Sequence, residues 1–191
     1  MILTETTSIP DTALPVAELS AHLRIGTGFA EDGLQDGVLV AYLRAALATI
    51  EAQTGITLLS RDFRWDVTAF RDCDQIDLPL RPVSAVLTIG VFDAAGTETV
   101  IDVTEFRLRS SISASVLLGN VPSIPTDGSA EIEVTAGFAT WAEIPQDLAH
   151  AVLLLAAWFY ENRTGSGGMP TAVKSILANY KSRRLSIGGS V

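Results

Sequence analysis

The sequence is poor in the residues that usually do chemistry. Its 191 residues include one cysteine, two histidines and two lysines. A single cysteine, Cys73, excludes an intramolecular disulfide framework and a cysteine-only metal cluster, and reads as a lone thiol in a reducing compartment. His22 and His150 lie in separate helical patterns. Neither has the His-x-x-x-His or cysteine partners of a zinc site, so each reads as a helix-surface or capping residue. There is no Gly-x-Ser-x-Gly elbow, and no catalytic-thiol signature surrounds Cys73. Gly165-Ser166-Gly167-Gly168 follows a helix and is not followed by Gly-Lys-Ser/Thr, so it reads as a flexible joint rather than a phosphate loop. Asp72, Asp74 and Asp77 cluster around an extended piece but lack the ordered spacing and glycine of a calcium loop. Aromatic residues, 7% of the chain, do not interleave with basic ones, which argues against a stacking surface for single-stranded nucleic acid. These absences leave an enzyme without candidate residues. We expect no catalysis, no cofactor and no metal.

A membrane-length apolar run is also missing. The longest uncharged helical stretch, residues 151–160 within IPQDLAHAVLLLAAWFYENR, is half the roughly 20 residues needed to span a bilayer. It is closed by His150 and by Glu161-Asn162-Arg163. Pro145 and Asp147 suit the first turn of a soluble helix, with Arg163 in the last turn and Gly165 just beyond it. Leu148, Val152, Leu155 and Phe159 make one stripe, and apolar residues fill most of the remaining circumference. Such a helix is buried on nearly every side, in a core or between subunits. We read Val152, Leu155 and Phe159 as core packed against the second helix. Trp158, Tyr160 and Trp141 are the candidates for a subunit interface. The first residues, MILTETTSIPDT, show no basic region followed by an apolar stretch, so a cytoplasmic product is expected.

What is abundant is apolar surface and acidic charge. Hydrophobic residues make up 48% of the chain and the mean hydropathy is +0.33. That excess suggests apolar area buried between subunits, or a large ordinary core. Net charge is −9, unevenly placed: five cations and Glu161 give residues 161–191 +4, leaving −13 on residues 1–160. An acidic body repels nucleic-acid phosphate. The basic end could bind DNA, dock on an acidic protein surface, or simply complement a helix dipole.

The patterning runs helix–helix, strands, helix–helix. Helices are expected over 15–23 and about 32–54, the second with a stripe of Leu34, Val38, Tyr42, Ala45 and Ile50 and a stop at Gly55. Strands are expected around 63–67, 76–78, 83–91, 97–101, 106–109, 115–118 and 130–136, with a hairpin turn at Asp93-Ala94-Ala95-Gly96. A last amphipathic helix covers about 171–183. The expected fold is α+β: one domain over 1–191, with N-terminal helices (14–55) and C-terminal helices (144–184) forming a bundle. An antiparallel β lobe (56–140) is inserted between them, and a flexible tail covers 185–191.

Taken in order, LPVAELSAHLRI, IEAQTGITL, RDFRWDVTAF, IDLPLRPV, VLTIGVFDAAG, VTAGF, IPQDLAHAVLLLAAWFYENR and a closing helix over 172–184 resemble the head–tail connector, or adaptor, proteins of tailed phages and gene transfer agents. The resemblance covers residues 14–185. It implies a structural protein of the particle neck that binds beneath the portal protein as a ring, usually of twelve copies. Such a ring extends the DNA channel and presents a surface to the next neck, stopper or tail protein. DNA would pass without specific binding, and no membrane is involved. Members commonly reach the portal through this end of the chain, which singles out Lys181, Arg183, Arg184, Leu185 and Ile187. Acidic side chains of the body are expected to face the lumen. Two rivals follow from the residues: a tail or baseplate component binding host carbohydrate through Trp65 and Trp141 in the β lobe, and a DNA binder using the basic end.

Overall fold

A computed structural model describes residues 1–24, 36–162 and 168–180. In chain order the elements are β1 (Ile2–Glu5), α1 (Val16–His22), α2 (Asp36–Thr54), β2 (Arg61–Val67), β3 (Gln75–Asp77), β4 (Val83–Phe92) and β5 (Glu98–Ile101). They continue with β6 (Arg107–Ser110), β7 (Ser115–Leu118), β8 (Ser129–Ala136), α3 (Gln146–Glu161) and α4 (Thr171–Ala178). The fold is α+β. Helices from both ends of the chain pack together, α2 on α3, α1 on both, and α4 on α3.

Local chemistry sets the helix ends. The α2 helix stops where Gly55 takes a φ of +69°, a left-handed conformation that suits glycine. There Thr54 Oγ1 donates to the Ile50 carbonyl at 2.8 Å and accepts from the Ile56 N–H at 3.2 Å. The α3 helix starts after Pro145, with Asp147 in its first turn. It ends at Glu161, earlier than the expected stop at Gly165, because Asn162 caps it. The Asn162 backbone N–H and Nδ2 both donate to the Trp158 carbonyl, at 2.9 and 3.0 Å. Arg163 and Gly165 lie outside the described residues.

The eight strands among the described residues pair antiparallel and form two sheets, in the orders β1-β2-β8-β4-β5 and β3-β7-β6. Burial in β8 alternates strictly, with Ala130, Ile132, Val134 and Ala136 inward. The expected hairpin turn is present: Asp93 Oδ1 accepts from the N–H groups of Ala95 and Thr97 at 2.9 and 2.8 Å, and Gly96 has φ +81°. The patterning does not predict β1. This strand pairs with β2, Leu3 opposite Trp65, so the first residues join the sheet built mainly from residues 61–136.

Apolar burial divides into two clusters. Leu19, Leu43, Leu47, Leu148, Leu155 and Leu177 belong to the helical one; Phe63, Trp65, Ile76, Ile89, Leu117 and Ile132 belong to the strand one. Polar residues join them. Arg61 on β2 donates from Nη1 and Nη2 to Glu51 on α2 at 3.1 and 2.7 Å, and its Nε lies 2.9 Å from Glu5 on β1. Burial alone would lower the Arg61 pKa, but Glu51 and then Glu5 outweigh it and hold the pKa above the ordinary value.

The buried face of α2 differs from the expected one. Leu39, Leu43, Ala46, Leu47 and Ile50 face the core, while Val38 is 42% exposed, Tyr42 half-buried and Ala45 exposed. Of the expected stripe only Ile50 is core; Leu34 lies outside the described residues. Nearly every residue of α2 between Val38 and Ile50 is apolar or small, so period alone could not choose the face; packing against α3 did.

Candidate interfaces

The outer side of the helical bundle carries the residues singled out for subunit contact. Val152 and Leu155 of α3 are buried as expected, whereas Phe159 is half-buried and packs edge-on against Trp158, ring centroids 5.5 Å apart. Trp158 and Tyr160 are half-buried on α3. Trp141 is half-buried in the short 3-10 turn that precedes it. All three pack on the helical core. Tyr160 meets Tyr42 of α2 edge to face at 6.0 Å. Of the α3 aromatics, Tyr160 thus meets the outer side of α2, whereas Trp158, two residues earlier, lies about 200° round the helix. Both flanks are apolar and incompletely covered, which suits contact with another protein surface.

Lys181, Arg183, Arg184, Leu185 and Ile187 lie outside the described residues. Their point of departure is described. Tyr180 directly precedes them and is anchored twice. Its hydroxyl donates to Asp147, with oxygen distances of 2.7 and 2.8 Å, and its carbonyl accepts from Arg81 Nη2 at 3.3 Å. Partial burial, reinforced by the Asp147 hydrogen bond and charge, pushes the Tyr180 hydroxyl up to about 12. Arg81 also donates to the carbonyls of Thr54 and Ser113. One guanidinium therefore ties the end of α2, the β6–β7 turn and the end of the C-terminal helix together.

The structure also pairs the chain's two histidines, which the sequence places in separate helices. His22 on α1 and His150 on α3 are both exposed, with ring centroids 6.4 Å apart. No group of three or more His, Cys, Asp or Glu side chains among the described residues is placed to hold a metal ion, the Asp72–Asp74–Asp77 cluster included. No helix among the described residues is long and apolar enough to cross a membrane. The carbohydrate reading needs an exposed aromatic platform, yet Trp65 is only 7% exposed.

The described residues thus form an α+β chain whose helical bundle keeps part of its apolar surface uncovered. Neither a family model nor a curated protein matches it. Solved structures do. A chain in the neck of an empty gene transfer agent particle, computed with C6 symmetry, is 44% identical over 98% of this chain and 99% of its own, with a TM-score of 0.87. A chain in the virion of a native gene transfer agent particle is 44% identical over the same shares, with a TM-score of 0.85. A chain in the neck of a native particle, computed with C12 symmetry, is 40% identical over the same shares, with a TM-score of 0.83. This chain belongs to the head–tail connector family found in the necks of gene transfer agent particles. It is a structural component of such a neck.

Proposed function

We propose that the chain is the adaptor of the neck. It forms a ring on the portal protein, continues the DNA channel and offers the next neck or tail protein its attachment surface. The observation that carries this reading is the 44% identity, over 98% of the chain, to a chain in a particle neck. The symmetry of the related necks, C6 and C12, supports a closed ring in which each copy meets two neighbours through different surfaces. Tyr160, with Val38 and Tyr42 of α2, forms one side of that contact, and Trp158, about 200° round α3 from Tyr160, belongs with Trp141 to the candidates for the other. The −13 charge of residues 1–160 suits a channel wall that repels passing phosphate. Lys181, Arg183, Arg184, Leu185 and Ile187 form the portal-docking element. No catalytic step is assigned to the chain.

Deleting the gene and imaging the particles tests the role. Filled or leaking heads without tails, beside free tails, are expected. Complete particles with normal tails that fail only in delivery would move the chain out of the neck. Ending the chain after Tyr180 tests the docking element: the body is expected to persist but not to join the portal.

A further inference from the structure

A cleft of about 800 Å³ opens between the two sheets. Trp65, Val67, Ile76 and Leu78 supply its apolar lining, and Asp72 and Asp77 supply carboxylates at its β3 end. Two sheet edges border it. β3 is an outermost strand, with β7 on one side only, and β1 is outermost in the other sheet. Register places Leu3 beside Trp65 on one face, and both Leu3 and Met1 are exposed, by 41% and 79%. Trp65 itself is 7% exposed, yet its Nε1 has no hydrogen-bond partner among the described residues. A buried indole N–H normally finds an acceptor. The indole N–H is closed off from the cleft, so the free strand edge and the apolar floor are what describe a seat for an extended peptide.

We propose that the occupant is the chain's own last segment, residues 181–191, KSRRLSIGGSV, laid along the free edge of β3. The segment leaves from the rim of the cleft: Arg81 lines it and holds the Tyr180 carbonyl. Eleven residues reach roughly 36 Å when extended, ample to cross a cleft of this size. Lys181, Arg183 and Arg184 match the carboxylates of Asp72 and Asp77, against which the same loop sets only Arg71. In an extended strand Leu185 and Ile187 fall on one face, which meets the apolar lining. This inference does not rest on portal docking. If both hold, the seated segment must leave the cleft to reach the portal, so the portal competes with the cleft.

Cys73, the chain's single cysteine, is exposed and lies between Asp72 and Asp74 at the acidic end. The full-length chain carrying Ser186→Cys is oxidised mildly at low protein concentration. Formation of the disulfide between Cys73 and the thiol introduced at position 186 is timed by mobility and mass. The same measurement is made with Asp72→Asn and Asp77→Asn added; both aspartates are exposed, so the fold is retained. A seated segment predicts that neutralisation slows intramolecular closure about five-fold or more, because the local concentration of the second thiol falls. A segment that is merely tethered predicts no slowing, since removing carboxylates beside a thiolate favours its attack. Unchanged or faster closure overturns the proposal. Disulfide-linked dimers as the main product also overturn it, by placing the segment in the cleft of another copy.

Discussion

The helical cluster and the strand cluster have different kinds of boundary. Helices satisfy their backbone internally, so the bundle ends in side chains: Val38, Tyr42 and Tyr160 leave one apolar flank half covered, and Trp158 stands half-buried on another side of α3. The strand cluster ends in backbone, with β1 and β5 outermost in one sheet and β3 and β6 in the other. A helical flank recruits partners by shape and apolar area, a strand edge by main-chain hydrogen bonds. Between them runs a polar seam of Arg61, Glu51 and Arg81. A neck component must be held by like copies and also receive unlike partners. On the adaptor reading proposed above, two kinds of boundary on one chain supply two separable modes of attachment.

The sharpest way to break the comparison is to charge the helical core. Leu155 is 1% exposed at the centre of that cluster. Leu155→Asp buries a carboxylate without a partner. The cost is expected to exceed about 5 kcal/mol, the lower end of a domain's whole stability. Circular dichroism of the purified chain should show no cooperative melt. A folded, soluble monomer would remove Leu155 from the core.

The next largest effect should come from where the strand cluster returns to the helices. Gly137 follows β8 with φ +108°, and a Cβ there would sit 2.5 Å from the Leu59 carbonyl carbon and oxygen and 2.8 Å from Ser60 N. Backbone cannot yield as a side-chain tip does. Gly137→Ala should cost about 3 kcal/mol and lower the melting temperature by roughly 10 °C. A loss below about 1 °C, negligible on that scale, would show that the segments near Leu59 can move apart freely.

The seam itself comes third. The side chains of Arg61 and Glu51 are 9% and 14% exposed. Arg61→Met strands the Glu51 carboxylate and should cost about 3 kcal/mol. Adding Glu51→Gln should recover part of that, because the neutral amide no longer needs a countercharge. A double-mutant cycle in denaturant reads the coupling directly. Additive losses would mean that the two clusters do not communicate through this pair.

The same contrast explains what can be read in the sequence. Alternation is a strong code when one sheet face is buried, and β2 and β8 stand where Phe63-x-Trp65-x-Val67 and Ala130-x-Ile132-x-Val134 put them. The α3 helix is legible because its apolar run is bounded by Pro145 and Glu161-Asn162. The face of α2 is not, since Val38, Tyr42 and Ala45 compete equally with Leu39, Leu43 and Ala46 on period. Four residues of β1 carry no pattern, and they pair with a strand far along the chain, Ile2 with Asp66 and Glu5 with Phe63. The aromatic interface candidates are recognisable by type, and their partner Tyr42 is not, because its period assigns it to the core. The cleft leaves no trace: it depends on how two sheets meet, and Trp65 looks in sequence like any inward strand residue.

The smallest effect is the most specific test of where the C-terminal helix is anchored. Tyr180 is partly exposed, so its bonds to Asp147 stabilise the fold by only about 1 kcal/mol after solvent screening. The Tyr180 hydroxyl ionises at about 12 in the folded chain, against about 10 when unfolded. A raised folded value means that this contribution is fully present below about pH 10 and disappears as pH rises towards about 12. Ultraviolet absorbance of the phenolate should show a late ionisation that belongs to Tyr180. Tyr180→Phe should remove that late step. Asp147→Asn should move it down towards the ordinary value of about 10 while leaving the circular dichroism near neutral pH unchanged. If the late step survives in Asp147→Asn at its original pH, burial and not Asp147 holds the hydroxyl up, and Arg81 on the Tyr180 carbonyl is the anchor that remains.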